Sequence, residues 1–184
     1  MNRSERRRNA KNSNLSASKP SARPLRASLP APSVEIQQLI ATGKGHHSGG
    51  NLSKALEVYS HILSIDPKQP TALYLAGVAL HQTGQHAKAI ECLQGSLSIF
   101  PDNPEAYNNL GVVFNATGNT VAAEECYRRA IALKPEYAAA YKNLGALLAS
   151  ADKLDAGLEC YRKTVSLAPN HAEGLKAIGE ILIK

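Results

Sequence analysis

The side chains best equipped for chemistry in this 184-residue chain are three cysteines and six histidines. Cys92, Cys126 and Cys160 are each 34 residues apart, which places them on equivalent helices of successive repeating units. Packed helices lie roughly 8–10 Å apart. A disulfide needs Cα atoms within about 7 Å, and zinc needs sulfur at about 2.3 Å. The cysteines therefore read as small buried or half-buried residues, and three thiols without a close pair point to a reducing, cytoplasmic compartment. His46 and His47 are adjacent and face different directions on a helix, while His81 and His86 straddle Gly84. Neither pair has carboxylate or cysteine neighbours at ligand spacing, so both are expected in solvated loops. Gly43-Lys44-Gly45 lacks the spacing and preceding strand of a phosphate loop. Asn14, Asn51 and Asn115 sit in N-x-S/T triplets, which carry no meaning without export. No catalytic constellation, metal site or cofactor is expected.

The elements that carry these residues follow from self-similarity. Pro67, Pro101, Pro135 and Pro169 share a 34-residue period. Gly43, Gly77, Gly111, Gly145 and Gly179 keep it, as do Ala55, Ala89, Ala123 and Gly157. The register gives repeats 36–69, 70–103, 104–137 and 138–171 and a partial repeat 172–184. In the third, Asn103 caps a helix that opens on Pro104. Tyr107, Leu110, Val113 and Phe114 line one face of that helix. Gly118-Asn119 breaks it, and a second helix carrying Val121, Ala122, Tyr127, Ala130 and Ile131 ends before Pro135. A glycine in mid-helix costs about 1 kcal/mol relative to alanine. The pairs Gly77 with Ala89, Gly111 with Ala123 and Gly145 with Gly157 therefore read as close helix contacts, with Tyr107 and Tyr127 filling the same interface.

The run Tyr107-x-x-Leu110-Gly111-x-x-Phe114, followed by Ala123, Tyr127, Ala130 and Pro135, resembles the tetratricopeptide repeat. That resemblance covers residues 36–184 and implies an all-α, right-handed superhelical solenoid of antiparallel helix pairs. Its concave groove is lined by first helices and binds an extended or helical peptide. It is weaker in the first repeat, where Thr42, Gly45 and His46-His47 predict a short or frayed first helix. By family register the groove positions are Tyr74, Leu75, Val78 and His81, then Asn108, Asn109, Val112 and Asn115, then Lys142, Asn143 and Ala146, then Lys176 and Glu180.

Asn109 and Asn143 are equivalent one repeat apart, and each amide can pair with the backbone of an extended ligand. Such a ladder, with the Tyr107–Gly111 stretch, is similar to the repeat arm of O-linked N-acetylglucosamine transferases. Leu75 and Ala177 end it on either side. Replacing both asparagines by alanine is expected to weaken peptide binding and leave stability nearly unchanged. The carboxylate clamp of chaperone-binding members fits poorly, because Glu173 and Ala177 stand where two cations belong.

Charge separates the chain into two parts. Within 1–34, Arg3, Arg6, Arg7, Arg8, Lys11, Lys19, Arg23 and Arg26 face one acid, Glu5, a net +7. The remaining 13 basic and 14 acidic residues leave the body at −1. Residues 1–34 read as a disordered basic tail, with too little apolar surface to fold. No secretory core follows it, although its arginine and serine content also suits a transit peptide. Because the charge belongs to the tail, nucleic acid is not the expected partner of the repeats. No apolar run approaches the roughly 18 residues that span a bilayer. Residues 172–184 supply a first helix only, and Ile181 and Ile183 interrupt its outer face. The natural protein is expected to continue beyond Lys184, or the chain to self-associate there. Two functions remain: a protein-interaction scaffold, or the recruiting arm of a larger glycosyltransferase or sulfotransferase.

Overall fold

The computed structural model describes residues 32–183. Among them are nine α-helices and no strand. In order these are α1 (Val34–Ser48), α2 (Leu52–Ile65), α3 (Pro70–Gln82), α4 (His86–Ile99), α5 (Pro104–Ala116), α6 (Thr120–Leu133), α7 (Ala138–Ser150), α8 (Leu154–Leu167) and α9 (Ala172–Leu182). The expected basic tail lies outside the described residues except at 32–34. There Ser33 caps α1 by accepting from the Ile36 N–H at 3.3 Å, and Val34 is already helical.

Each repeat is a helix pair joined by the same turn. Gly50, Gly84 and Gly118 take φ of +77°, +77° and +79°, the left-handed conformation that glycine adopts without a Cβ penalty. Asp152 takes the fourth such turn at φ +59°. First helices start at a matching register. Gln69 accepts from the Thr71 and Ala72 N–H groups at 2.6 and 3.1 Å, Asn103 from Ala106 at 3.0 Å, and His171 from Gly174 at 3.1 Å. Pro70 and Pro104 occupy the first helical position, where a missing N–H costs nothing.

The mid-helix glycines are where the pair closes. A Cβ on Gly111 would meet the Tyr127 ring at 2.6 Å, and one on Gly77 would meet Leu93 at 2.7 Å. Gly43 is pressed against the Tyr59 ring in the same way. The residue seated on the glycine is thus four positions beyond the expected alanine. At Gly77 and Gly145 the expected partner does contribute, through the Ala89 and Gly157 carbonyls, each at 3.2 Å.

The first helix is neither short nor frayed, since α1 runs 15 residues. Local propensity is overridden by packing. Ile36 is buried with Tyr59 and Ile62, Gly43 receives Tyr59, and His47 Nε2 bonds the Gln82 Oε1 at 2.8 Å.

First helices touch one another across repeats, α1 with α3, α3 with α5 and α5 with α7. Among the described residues, no pair of second helices makes a comparable contact. The solenoid therefore carries its first helices as an inner row.

Candidate protein-binding face

The inner row is held by side-chain bonds between neighbouring repeats, each joining positions one residue off the repeat. Asn109 on α5 donates its Nδ2 to the Tyr74 hydroxyl on α3 at 2.9 Å. Asn143 on α7 donates its Nδ2 to the Asn108 Oδ1 on α5 at 2.9 Å. An amide has two N–H donors and a carbonyl acceptor, so one such bond uses part of its capacity and fixes its orientation. The two asparagines of the expected ladder are thus half-buried and pre-oriented. Asn108 is only 6% exposed and offers a ligand little surface.

The other expected groove residues divide. Tyr74 packs beside the cluster of Ala89, Leu93 and Leu110, and Val112 packs beside Ala123, Tyr127 and Leu144. Both serve the core as much as a surface. Val78 is half-buried on α3 and Asn115 is exposed near the end of α5. Lys142 is tied to Glu173 at 3.2 Å, and Lys176, on α9, pairs with Glu180 at 3.6 Å. The acid that stands in place of a clamp cation therefore neutralises one of the remaining lysines.

His81 and His86 are not in a solvated loop. They end α3 and begin α4, half-buried, with their Nδ1 atoms 3.1 Å apart and ring centroids 5.0 Å apart. Burial, then the neighbouring His86, pushes the His81 pKa down. His46 and His47 likewise belong to the last turn of α1. No group of three or more metal-ligating side chains occurs among the described residues. The three cysteines are free thiols, Cys126 buried and the other two half-buried. Burial and then Glu125 push the Cys126 thiol up to about 11, which disfavours the nucleophilic thiolate.

One cluster was not read from the sequence. Tyr74, Glu105, Asn109, Lys134 and Tyr137 gather where the second and third repeats meet. Lys134 bonds Glu105 at 3.0 Å and lies 5.0 Å from the Tyr137 ring centroid. Burial, then Glu105 and Tyr74, push the Tyr137 phenol up to about 12. Burial and then Glu105 also raise Tyr74, opposed by the bond from Asn109. The signal was present: Tyr137 occupies the register of the capping residues Gln69, Asn103 and His171, yet makes no side-chain cap.

Three tetratricopeptide-repeat family profiles match residues 43–84, 68–136 and 116–172. Among solved structures, MamA is 30% identical with a TM-score of 0.70, covering 77% of this chain and 82% of its own. YrrB, described as a TPR protein with an unusual peptide-binding site, is 23% identical with a TM-score of 0.66, covering 79% and 75%. The first TPR of Spaghetti, bound to an HSP90 peptide, is 24% identical with a TM-score of 0.61, covering 64% and 94%. No curated protein sequence matches the chain. Helix pairs on a 34-residue period, glycines seated against the following helix, and these matches together place the chain in the tetratricopeptide-repeat family.

Proposed function

We propose that the chain is a protein-interaction scaffold that holds an extended segment of another protein on the inner row of α3, α5 and α7. The observation that carries this reading is the cluster around Asn109. Its amide is fixed by Tyr74, the Tyr137 phenol lies close enough to Tyr74 and Glu105 to feel their charge, and the Glu105–Lys134 pair supplies both signs of charge. Pre-oriented amides read the donors and acceptors of a peptide backbone, and ordering them before binding lowers the entropic cost of the complex. Tyrosine rings add contact area with few rotatable bonds. Asn143, one repeat on, provides a second amide in the same register. Two neighbours of the same fold are described with peptides or a peptide site, which agrees with this use of the fold. The likeness of Tyr107–Gly111 to transferase arms rests on those residues alone. No described helix is long and apolar enough to cross a membrane, and three free thiols suit a cytoplasmic setting.

Tyr137→Asn tests the reading. It installs at Tyr137 the residue type that caps α5 at Asn103, so folding stability is expected to hold or rise. Linear peptides captured by the intact chain from a phage-displayed random library should bind this variant at least tenfold more weakly, a loss of about 1.4 kcal/mol. Undiminished binding to Tyr137→Asn, or failure of the intact chain to enrich any peptide, would overturn it.

A further inference from the structure

We infer that the inner row selects an uncharged segment of its partner, a stretch of about six residues without aspartate, glutamate, lysine or arginine. The inference rests on the inner row being the binding face, and it names the class of segment that face takes.

Charge is divided between the two kinds of helix. α3, α5 and α7 have 13 residues each and hold one acid, Glu105, and one base, Lys142, between them. α4, α6 and α8 have 14 residues each and hold five acids and five bases. Both inner charges are already taken. Glu105 pairs with Lys134 at 3.0 Å, and Lys142 pairs with Glu173 on α9 at 3.2 Å. Each pair offers a ligand a local dipole and no net charge. A charged side chain laid on this row would displace one of these partners or lie unpaired on a half-buried surface, and either is unfavourable. An uncharged segment does neither.

The titratable groups of the row are also in their neutral forms. Burial, then His86, pushes the His81 pKa below its ordinary 6.5, so the imidazole is uncharged at neutral pH. Burial holds the Tyr74 phenol protonated. What remains for contact is amide and aliphatic. Asn109, Asn143, Leu75, Val78 and Val112 are half-buried, and Ala146 is exposed. The amides match the donors and acceptors of a peptide backbone, and the aliphatic side chains match apolar or small ones. Length follows from spacing. Packed helices lie roughly 8–10 Å apart and an extended chain rises about 3.3 Å per residue. About six residues therefore reach from α3 to α7.

Sequencing the peptides that the intact 184-residue chain enriches from a phage-displayed random library tests this. The two most enriched are then titrated as synthetic peptides in increasing NaCl. The enriched peptides should share a stretch of about six residues free of all four charged types. Their dissociation constants should change less than about twofold between about 50 and about 500 mM NaCl, because no ion pair to the ligand is screened. Ala146 is exposed, so Ala146→Lys needs no repacking. It should turn the selection toward acidic peptides, whose binding weakens about fivefold or more over the same salt range. An acidic or basic consensus from the intact chain overturns the inference. So does a salt dependence of that size for the intact chain, or an uncharged consensus that Ala146→Lys leaves unaltered. Charged peptides that nonetheless bind Tyr137→Asn about tenfold more weakly would remove the uncharged class and leave the scaffold reading standing. Failure to enrich any peptide overturns both.

Discussion

Asn143 donates to the side-chain carbonyl of Asn108 at 2.9 Å, bonding α7 to α5 across a repeat junction. The bond changes what alanine replacement should do. A half-buried hydrogen bond contributes about 0.5–1.5 kcal/mol net, and a buried acceptor left without a partner costs about 1–3 kcal/mol. Asn143→Ala is therefore expected to destabilise the array by about 1–2 kcal/mol, contrary to the neutrality expected from the sequence. Urea unfolding of Asn108→Ala, Asn143→Ala and the double variant checks it. Additive losses would show that the two amides do not interact.

Two glycines of the same helical type should respond oppositely to alanine. At Gly111 the new Cβ meets the Tyr127 ring at 2.6 Å, and overpacking costs about 1–3 kcal/mol. At Gly45 the Cβ meets open space on α1, so only helix propensity acts, and Gly45→Ala should stabilise by about 0.5–1 kcal/mol. Thermal unfolding of both variants measures the signs. The same sign at both positions would contradict the packing at Gly111.

These cases mark how far the sequence can be read. The 34-residue recurrence of proline and glycine, the Asn103 cap and the Gly118 turn give the helix pairs directly, because each is a local backbone requirement. Which residue fills a glycine is not local. The pattern suggests Ala123 opposite Gly111, whereas the Tyr127 ring sits there, since the approach depends on how the helices cross. The short first helix was a propensity argument, and it failed where Tyr59 and Gln82 supply tertiary support. In the inner row, periodicity identified Asn109 and Asn143 but not their partners Tyr74 and Asn108, which lie 35 residues away, one position off the repeat. Tyr137 was missed because its cluster joins the end of the third repeat to Tyr74 of the second, residues far apart in the sequence.

Asp152 offers a test of the shared turn. It holds φ +59° where Gly50, Gly84 and Gly118 hold the equivalent turns. A left-handed conformation costs an L-residue about 1–2 kcal/mol, less for aspartate. Replacement by glycine removes that strain while adding unfolded-state entropy. Asp152→Gly is expected to stabilise by about 0.5 kcal/mol, read from the urea midpoint. Destabilisation of similar size would mean that the Asp152 side chain contributes more than its backbone strain removes.

Alkaline pH should loosen the array through its buried phenols. Burial is the main cause that pushes Tyr127 and Tyr137 up to about 12 from an ordinary 10.0, and it raises Tyr74 as well. A folded-state pKa above the unfolded value means that folding favours the protonated form. The contribution is complete below pH 10.0 and is lost as pH climbs toward 12. The Cys126 thiol, raised to about 11 from 9.0, acts in the same direction over a lower interval. Stability should therefore fall between about pH 9 and 12, and Tyr137→Phe, which cannot ionise, should flatten the upper part of that fall. Urea midpoints at stepped pH, with phenolate absorbance recorded in parallel, measure both. A slope above pH 10 that is unchanged by Tyr137→Phe would mean that this phenol ionises as readily in the fold as in the unfolded chain. The junction of Tyr74, Glu105 and Tyr137 would then be open to water, and the pre-ordered cluster beside Asn109 would lose its physical basis.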